Sequence, residues 1–409
     1  MIREEIRQRV FITGVGAICS VGNNFDDIKS ALKQGFSGTR KITAFDTEDM
    51  GSVNGCEVKN FNPFDYFSKK DLKRMDRASQ LCLVAAREAI SSSDLNMQMI
   101  NGTRCGVSLG TLLGGIISGS KYYKKQTQEN CIYASQLLDF PLYSAGSRVC
   151  TEYGIRGPNI VISTACSASN VAIGYAYDLI QNGIVDIMIV GGFESMSEMT
   201  CAGFGVLRNL SPDICQPFDK NRKGIVLGEG AAIMILESEE HFIRRSGRVY
   251  AEFMGYGMSS DAYHMTAPDI TGKGPAMAMK KAIENSRIGT GDIDYINAHG
   301  TGTHYNDLIE TSSIKRVFGE QAYKIPISST KSMHGHTLGA AGAIEAITSI
   351  AAIKGFFIPP TINYEMPDTK CDLDYVPNQS RDKSVNMILS NGFGFGGNNC
   401  SIVIRRFNE

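Results

Sequence analysis

The 409-residue chain is 43% hydrophobic and 20% charged, with a formal net charge of -1, the profile of an ordinary soluble globular protein. That balance gives no global pull toward nucleic acid or a membrane surface, and no apolar run approaches the roughly 20 residues of a bilayer span. Eleven cysteines without a C-x-x-C argue against a disulfide framework or structural zinc, and the start, MIREEIRQRVFITG, has no signal-peptide h-region, which predicts a cytoplasmic protein.

In chain order, β-rich runs alternate with helical patterns. Strands are expected at Val10–Thr13, Cys105–Leu109, Ile160–Ser163, Ile187–Val190 and Ile233–Leu236. After a soft boundary near Arg245–Tyr250 they are expected at Ile293–Asn297, Ile325–Ser329, Met387–Leu389 and Ser401–Ile404. Helices are expected at Asp26–Lys33, Gln80–Ser92, Asn170–Asn182, Pro275–Asn285, Asp307–Phe318 and Ala340–Lys354. Such alternation predicts an α/β protein with mainly parallel sheets. No linker divides the chain, so two halves, 1–247 and 248–409, are expected to pack as one unit. They echo each other: ISTACS (Ile162–Ser167) and ISSTKS (Ile327–Ser332) each end a strand-like run and precede a small-residue-rich helix. Two such units hint at an internal duplication, with Lys331 at the place that Cys166 holds in the first half.

Cys166 lies in ISTACSAS, between a strand-like run and a helix. A helix N-terminus favours the thiolate, yet most unpaired cysteines are inert and buried, so the local sequence alone leans toward the inert thiol. Four of the six histidines fall in two groups, AHGTGTH (Ala298–His304) and KSMHGH (Lys331–His336). Each follows a strand, and loops after strand C-termini converge on the ligand site of an open α/β sheet. A zinc set of His299, His304, His334 and His336 matches no common ligand spacing, and Lys331 would repel a dication. The glycines of GFGFGGNN (Gly392–Asn399) formally satisfy G-x-G-x-x-G, but a strand rather than a helix follows, which removes the dinucleotide reading. They fit better as a close backbone approach that offers an N–H to an oxyanion. In SKKDLKRMDR (Ser68–Arg77), Lys70, Lys73 and Arg74 share a helix face. A solvated face is the default, and a docking patch for an acidic partner is the alternative.

Together these motifs resemble the β-ketoacyl-acyl-carrier-protein synthases of the KAS I/II type. The resemblance runs from VFITGVGAICSVG (Val10–Gly22) to NGFGFGGNNCSIVI (Asn391–Ile404), through STACSAS, PFDKNRKGIVLGEGA (Pro217–Ala231), DAYHMTAP (Asp261–Pro268), NAHGTGT, STKSMHGHTLGAAGAIEA and PPTINY (Pro359–Tyr364). It implies a thiolase-like α/β/α/β/α fold of five layers with two pseudo-duplicated halves. The first half would carry the nucleophile and the dimer interface, the second the catalytic His and Lys residues. The implied activity is acyl transfer: Cys166 takes an acyl chain as a thioester, malonyl-carrier protein loses carbon dioxide, and its enolate attacks the thioester. The resemblance makes His299 and His336 donors to the malonyl thioester oxygen. It makes Lys331 the family lysine, Glu310 the acid that orients it with Asp307 in the same network, and the amides of Cys166 and Phe395 an oxyanion hole. Phe393 and Phe395 would gate the acyl pocket. Thr301 and Thr303 would hold the phosphopantetheine arm, with Phe393, His264 and Leu113 among the substrate-binding positions. Lys70, Lys73, Arg74 and Arg208 would dock acyl-carrier protein, which reverses the default for that cluster. No metal and no bound cofactor are implied, because the phosphopantetheine travels on the carrier protein. A homodimer is implied, or a heterodimer with a chain-length-factor-like subunit.

Some residues depart from the fatty-acid enzymes. Gly302 stands where serine is usual, and His304 where proline is usual. Asn306-Asp307 followed by Glu310-Thr311 looks more like ketosynthase subunits of bacterial type II polyketide and polyene systems. The segment after GTLLGG (Gly110–Gly115) is short, which leaves chain-length preference open, and His334 has no assigned role. Two rivals are disfavoured. A non-catalytic chain-length partner lacks the cysteine that this chain keeps. A CoA-dependent thiolase uses one histidine and a second, basic cysteine, and has asparagine where this chain has His299.

Overall fold

The computed structural model describes residues 8–48, 50, 54–129 and 134–408; the charged start Met1–Arg7 and Cys131 lie outside them. Ten strands form the main sheet: β1 (Val10–Cys19), β2 (Cys105–Gly110), β3 (Asn159–Ile162), β4 (Ile187–Glu194), β5 (Gly230–Ser238), β6 (Ala251–Ser260), β7 (Tyr295–Asn297), β8 (Ile327–Ser328), β9 (Met387–Gly394) and β10 (Asn398–Arg405). The helices that matter for the site are α1 (Arg77–Ser92), α2 (Ile116–Glu129), α3 (Ser144–Tyr153), α4 (Ala168–Gln181), α5 (Glu198–Val206), α6 (Lys273–Asn285), α7 (His304–Phe318) and α8 (Ala341–Gly355).

The strand order is β8-β7-β9-β10-β6-β1-β5-β4-β2-β3. Numbered within its own half, each half therefore runs 1-5-4-2-3, with the first two pairings antiparallel and the last two parallel. The halves join antiparallel through their first strands, where Val10, Phe11 and Ile12 meet Phe253, Glu252 and Ala251. The duplication suggested by two short echoes is thus a duplication of topology. The expectation of mainly parallel sheets is corrected, since antiparallel pairs hold the middle. The reason is visible at β9–β10: a three-residue turn, Phe395–Gly397, joins them, too short for the crossover that parallel strands require.

Burial follows the layers. α4 and α8 lie between the two half-sheets, in one apolar cluster with residues of β1, β4, β5, β9 and β10. α1 and α3 cover the outer face of the first half, and α6 and α7 that of the second. This is the five-layer arrangement of the thiolase-like fold. α8 reads AGAIEAITSIAAIKG and is buried from Ala341 through Ile353. A helix buried all round carries no amphipathic stripe, and burial between sheets accounts for the apolar character of Leu338–Gly355, which has a mean hydropathy of 1.2 over 18 residues. α1 comes close to β1, because a Cβ on Gly16 would lie 2.2 Å from the Ala85 carbonyl oxygen.

The expected elements fall within observed ones to within a few residues, and β6, α2, α3 and α5 were not expected. β6 reads AEFMGYGMSS, whose glycines and methionines mask the apolar alternation of a half-buried strand. α2 buries none of its residues, so it carries no core-facing period to read.

Candidate active site

Cys166 stands at a sharp turn between β3 and α4. Ala165 before it adopts φ +53°, a left-handed conformation that is costly for a residue with a Cβ. A one-turn 3-10 segment, Ala165–Ser167, then runs straight into α4. The same backbone recurs in the second half at Thr337-Leu338-Gly339-Ala340-Ala341, with Leu338 at φ +50° and a 3-10 turn, Leu338–Ala340, running into α8. The structural counterpart of Cys166 is therefore Gly339. The expectation that Lys331 fills that place is corrected: Lys331 begins an extra helical turn, Lys331–His334, placed before the matching segment.

Three loops bring the chemistry to Cys166. His299 follows β7, Lys331–His336 follows β8, and Phe393–Phe395 ends β9. Cys166 Sγ and one ring nitrogen each of His299 and His336 all lie within 4.8 Å of one another. His336 Nε2 is 3.1 Å from the sulfur. The two imidazoles meet edge to face, with centroids 5.4 Å apart. Cys166, His299 and His336 line a cavity of about 400 Å³ together with Thr301, Thr303, Phe393 and Phe395.

The hydrogen bonds assign the tautomers. The Leu338 N–H donates to His336 Nδ1 at 3.2 Å, so the ring proton sits on Nε2, facing the cysteine. The Lys331 ammonium is a pure donor and lies 3.2 Å from His299 Nδ1, which again leaves the proton on Nε2. Burial and the nearby Lys331 charge hold both histidines well below the usual imidazole value. Two neutral imidazoles thus present Nε2–H donors at the same place. A Zn²⁺ would need those nitrogens as lone-pair ligands and would face the Lys331 charge, so a donor pair suits this geometry better than a metal site.

Burial pushes the Cys166 thiol up to about 11, against the pull of Lys331 and of the Phe395 amide, which hydrogen-bonds the sulfur. The expectation that a helix N-terminus favours the thiolate is outweighed here by loss of solvent. The Phe395 and Cys166 amides lie beside the sulfur, as an oxyanion hole requires. Gly394 makes that approach possible, since a Cβ there would stand 3.1 Å from the Cys166 nitrogen and 3.0 Å from the Thr164 oxygen.

Glu310 does not orient Lys331. Its carboxylate accepts the amides of His299 at 2.8 Å and Gly300 at 2.7 Å, and the Asn391 side chain at 3.1 Å. Asp307 joins the same loop, taking the Thr301 amide at 3.1 Å and the Phe218 amide at 2.7 Å. The acid on Lys331 is Glu345, from α8, paired with the Lys331 ammonium. Lys331 also donates to the His299 carbonyl at 2.5 Å. Glu310 and Glu345 were both in view in the motifs. The first sits on a helix aimed at the β7 loop, and the second on the central helix beneath Lys331. His334 has a structural part. Its Nδ1–H donates to the Gly335 carbonyl and its Nε2 accepts from Thr330, both at 2.9 Å, while burial and Lys331 lower it to about 3.

Two substrate positions fall outside the cavity lining. His264 is exposed, and its Nδ1 accepts the amides of Thr266 and Ala267 at 3.2 Å. It shapes the turn whose Thr266 and Ala267 do line the cavity. Leu113 is held by its amide to Glu194 at 3.1 Å, behind the nucleophile turn. Lys70, Lys73 and Arg74 are exposed around a short helix, Lys69–Leu72, capped by Ser68. Among the described residues they make no ion pair. Arg208 is exposed and lines the cavity. Phe204 of α5, which reasoning from sequence missed, packs on Phe395 with ring centroids 5.7 Å apart.

Residues 7–241 match the family description "Beta-ketoacyl synthase, N-terminal domain", and residues 250–365 match "Beta-ketoacyl synthase, C-terminal domain". A relative from Synechocystis sp. named 3-oxoacyl-[acyl-carrier-protein] synthase 2 is 40% identical over 411 residues, covering 98% of this chain and 99% of its own. The same-named protein of Staphylococcus aureus (strain COL) is 40% identical over 408 residues, with the same shares covered. Among solved structures, the ishigamide ketosynthase/chain length factor superposes with a TM-score of 0.94 at 35% identity, over 98% of this chain and 100% of that one. A type II polyketide ketosynthase solved with its acyl-carrier protein and a bound hexaketide gives 0.91 at 33% identity, with the same coverage. Two matched domains and 40% identity along nearly the whole length place the chain in the beta-ketoacyl synthase family.

Proposed function

We propose that this protein is a β-ketoacyl-acyl-carrier-protein synthase, an acyltransferase that elongates an acyl chain held on Cys166. The observation that carries this reading is the placement of two neutral Nε2–H donors, His299 and His336, over a buried thiol that the Cys166 and Phe395 amides flank.

In the first step Cys166 Sγ attacks the acyl thioester of the carrier protein. The carbonyl electron pair moves onto oxygen, held by the Cys166 and Phe395 amides. Collapse breaks the bond to the pantetheine sulfur, which leaves with the proton given up by the Cys166 thiol. In the second step the malonyl carboxylate leaves as carbon dioxide. The electron pair of the broken C–C bond passes into the thioester carbonyl, and the enolate oxygen accepts from His299 and His336. The enolate carbon attacks the Cys166 thioester, the C–S bond breaks, and the β-ketoacyl group leaves on the carrier while Cys166 takes up a proton. Lys331, tied to Glu345, keeps His299 in the donor tautomer.

Thr301 and Thr303, with Phe393 and Phe395, take the pantetheine arm and acyl chain. His264 shapes the mouth, Leu113 lies toward the chain's far end, and Arg208 with Lys70, Lys73 and Arg74 meets the acidic carrier. No cofactor of its own enters these steps. The two halves divide at about residue 247. The first supplies the nucleophile and, through β3, which ends the sheet with Ile160, Val161 and Ile162 part-exposed, an edge for a second subunit. That subunit is a second copy or a chain-length-factor-like protein, and the pair works in the cytoplasm. His304 and Asn306 line the cavity, so two residues that set this chain apart from the fatty-acid enzymes face the substrate.

Incubation with malonyl-carrier protein and acyl-carrier proteins of graded length and unsaturation, with products weighed, tests the reading. Saturated products indicate a fatty-acid route, and preference for unsaturated or unreduced chains a polyene or polyketide route. Absence of any elongated product overturns the proposal.

A further inference from the structure

The first half of the duplication has its own version of the nucleophile turn's surroundings, and a carboxylate occupies it. In the second half the fourth strand, β9, ends at Gly394, which comes up against the Cys166 amide. In the first half the fourth strand, β4, ends at Glu194. There the counterpart of Cys166 is Gly339, where no side chain fits: a Cβ would stand 2.4 Å from the Leu112 nitrogen. Glu194 fills the space. Its Oε2 accepts the Gly339 amide at 3.1 Å and the Leu112 amide at 2.6 Å, and its Oε1 accepts the Leu113 amide at 3.1 Å and lies 3.4 Å from the Thr111 hydroxyl. Glu194 is 1% exposed.

These bonds reach the active site in one step. The residue before Gly339 is Leu338, whose amide fixes the His336 tautomer at 3.2 Å. Leu338 sits in the left-handed region, so this turn is held by its partners rather than by its own preference.

We propose that Glu194 is a positioning residue for decarboxylation: one carboxylate ties the loop after β2 to the turn that holds His336 as an Nε2–H donor. The proposal rests on the ketosynthase reading of the site. Among the described residues, the groups that meet the carboxylate are three amides and one hydroxyl. Across the sheet it faces Gly230, and the nearby acid Glu229 is paired with Arg77 at 2.6 Å. Burial pushes Glu194 up to about 7 against the pull of the donated amides. The ionised form is the one that accepts all these bonds. Protonation turns one oxygen into a donor facing N–H groups, so the turn loosens as pH falls through about 7.

The test uses the full-length protein and three readouts: malonyl-carrier-protein decarboxylation, acyl transfer to Cys166, and thermal midpoint. Glu194→Gln keeps the shape and puts an amide nitrogen against amide donors. The expected result is a tenfold or greater loss of decarboxylation kcat, with acyl transfer within twofold. The wild-type decarboxylation profile should also show an acid limb near pH 7 that the variant lacks. Parallel loss of both activities with the thermal midpoint, or an unchanged limb, overturns the proposal. Wild-type protein that transfers no acyl group and decarboxylates nothing would overturn the ketosynthase reading itself, a different result. Should the variant not fold, ¹⁵N-histidine spectra of the wild type decide, since there are only six histidines. His336 ring shifts should move with a midpoint near pH 7 while the ring stays neutral, and shifts that are flat across pH 6–8 overturn the proposal.

Discussion

Replacing Glu345 by glutamine removes the counter-charge of Lys331 and keeps the shape. Lys331 is 0% exposed and Glu345 1%. Breaking a fully buried ion pair by removing one partner typically costs about 3–5 kcal/mol, because the remaining charge is left uncompensated. Lys331 keeps its bonds to the His299 carbonyl and Nδ1 but exchanges a carboxylate for a neutral amide oxygen, so the ammonium is held less firmly and the lock on the His299 tautomer weakens. Losing one aligned donor at an oxyanion costs about 10²–10³ in rate, which sets the upper bound for the fall in decarboxylation. The decisive assay is a double-mutant cycle on unfolding free energy, with Lys331→Met combined with Glu345→Gln and separately with Glu310→Gln. Groups in contact couple by about 0.5–3 kcal/mol, and independent ones add within about 0.5. The structure places the strong, direct coupling at Glu345 and a weaker one at Glu310, which meets Lys331 only through their shared partner His299. Strong coupling of Lys331 to Glu310, with additivity at Glu345, would refute the assignment.

Other expectations follow from the same geometry. Gly394→Ala puts a Cβ about 3 Å from the Cys166 nitrogen, so acyl transfer kcat should fall at least tenfold while the thermal midpoint shifts little; unchanged acyl transfer would remove the Cys166 amide from the oxyanion hole. With the thiol raised to about 11, alkylation of Cys166 by iodoacetamide should climb with pH through 8–10, because the reactive thiolate is still the minority form; a plateau below pH 8 would show that the helix N-terminus outweighs burial. Charge reversal at Lys73 and Arg74 should raise KM for carrier-bound substrate more than it lowers kcat, and equal kinetics would make the patch a solvated face only. His336→Ala should cut decarboxylation by about two orders of magnitude, measured as carbon dioxide released from malonyl-carrier protein, and normal release would exclude it from the donor pair.

The chemistry was legible in the sequence because its residues sit in short segments after strands, where small residues and glycines mark close backbone approach. STACSAS, NAHGTGT, KSMHGH and GFGFGG are contiguous, and the fold needs only to bring their loops together. What the sequence withheld depends on three-dimensional pairing. Glu310 and Glu345 lie 35 positions apart on different helices, and only their packing shows which one meets Lys331. The echo of ISTACS and ISSTKS marked a true duplication but in the wrong register. The extra turn Lys331–His334 shifts the match, and similar backbone angles, with Ala165 and Leu338 both in the left-handed region, align Cys166 with Gly339. Strand direction was misjudged because tight glycine turns and helix crossovers both read as breaks between apolar runs. Glu194 gave no signal, since a lone acid after IMIVGGF has no periodic or motif context and its partners are main-chain amides.

The central claim is that Cys166, alone among eleven cysteines, carries the growing chain. Intact-mass and peptide spectrometry after incubation with acyl-carrier protein tests it most directly. The account predicts one acyl adduct, mapped to the peptide containing Cys166, discharged as β-ketoacyl-carrier protein when malonyl-carrier protein is added, and absent in Cys166→Ala. An adduct on another residue, or elongation by Cys166→Ala, would contradict it.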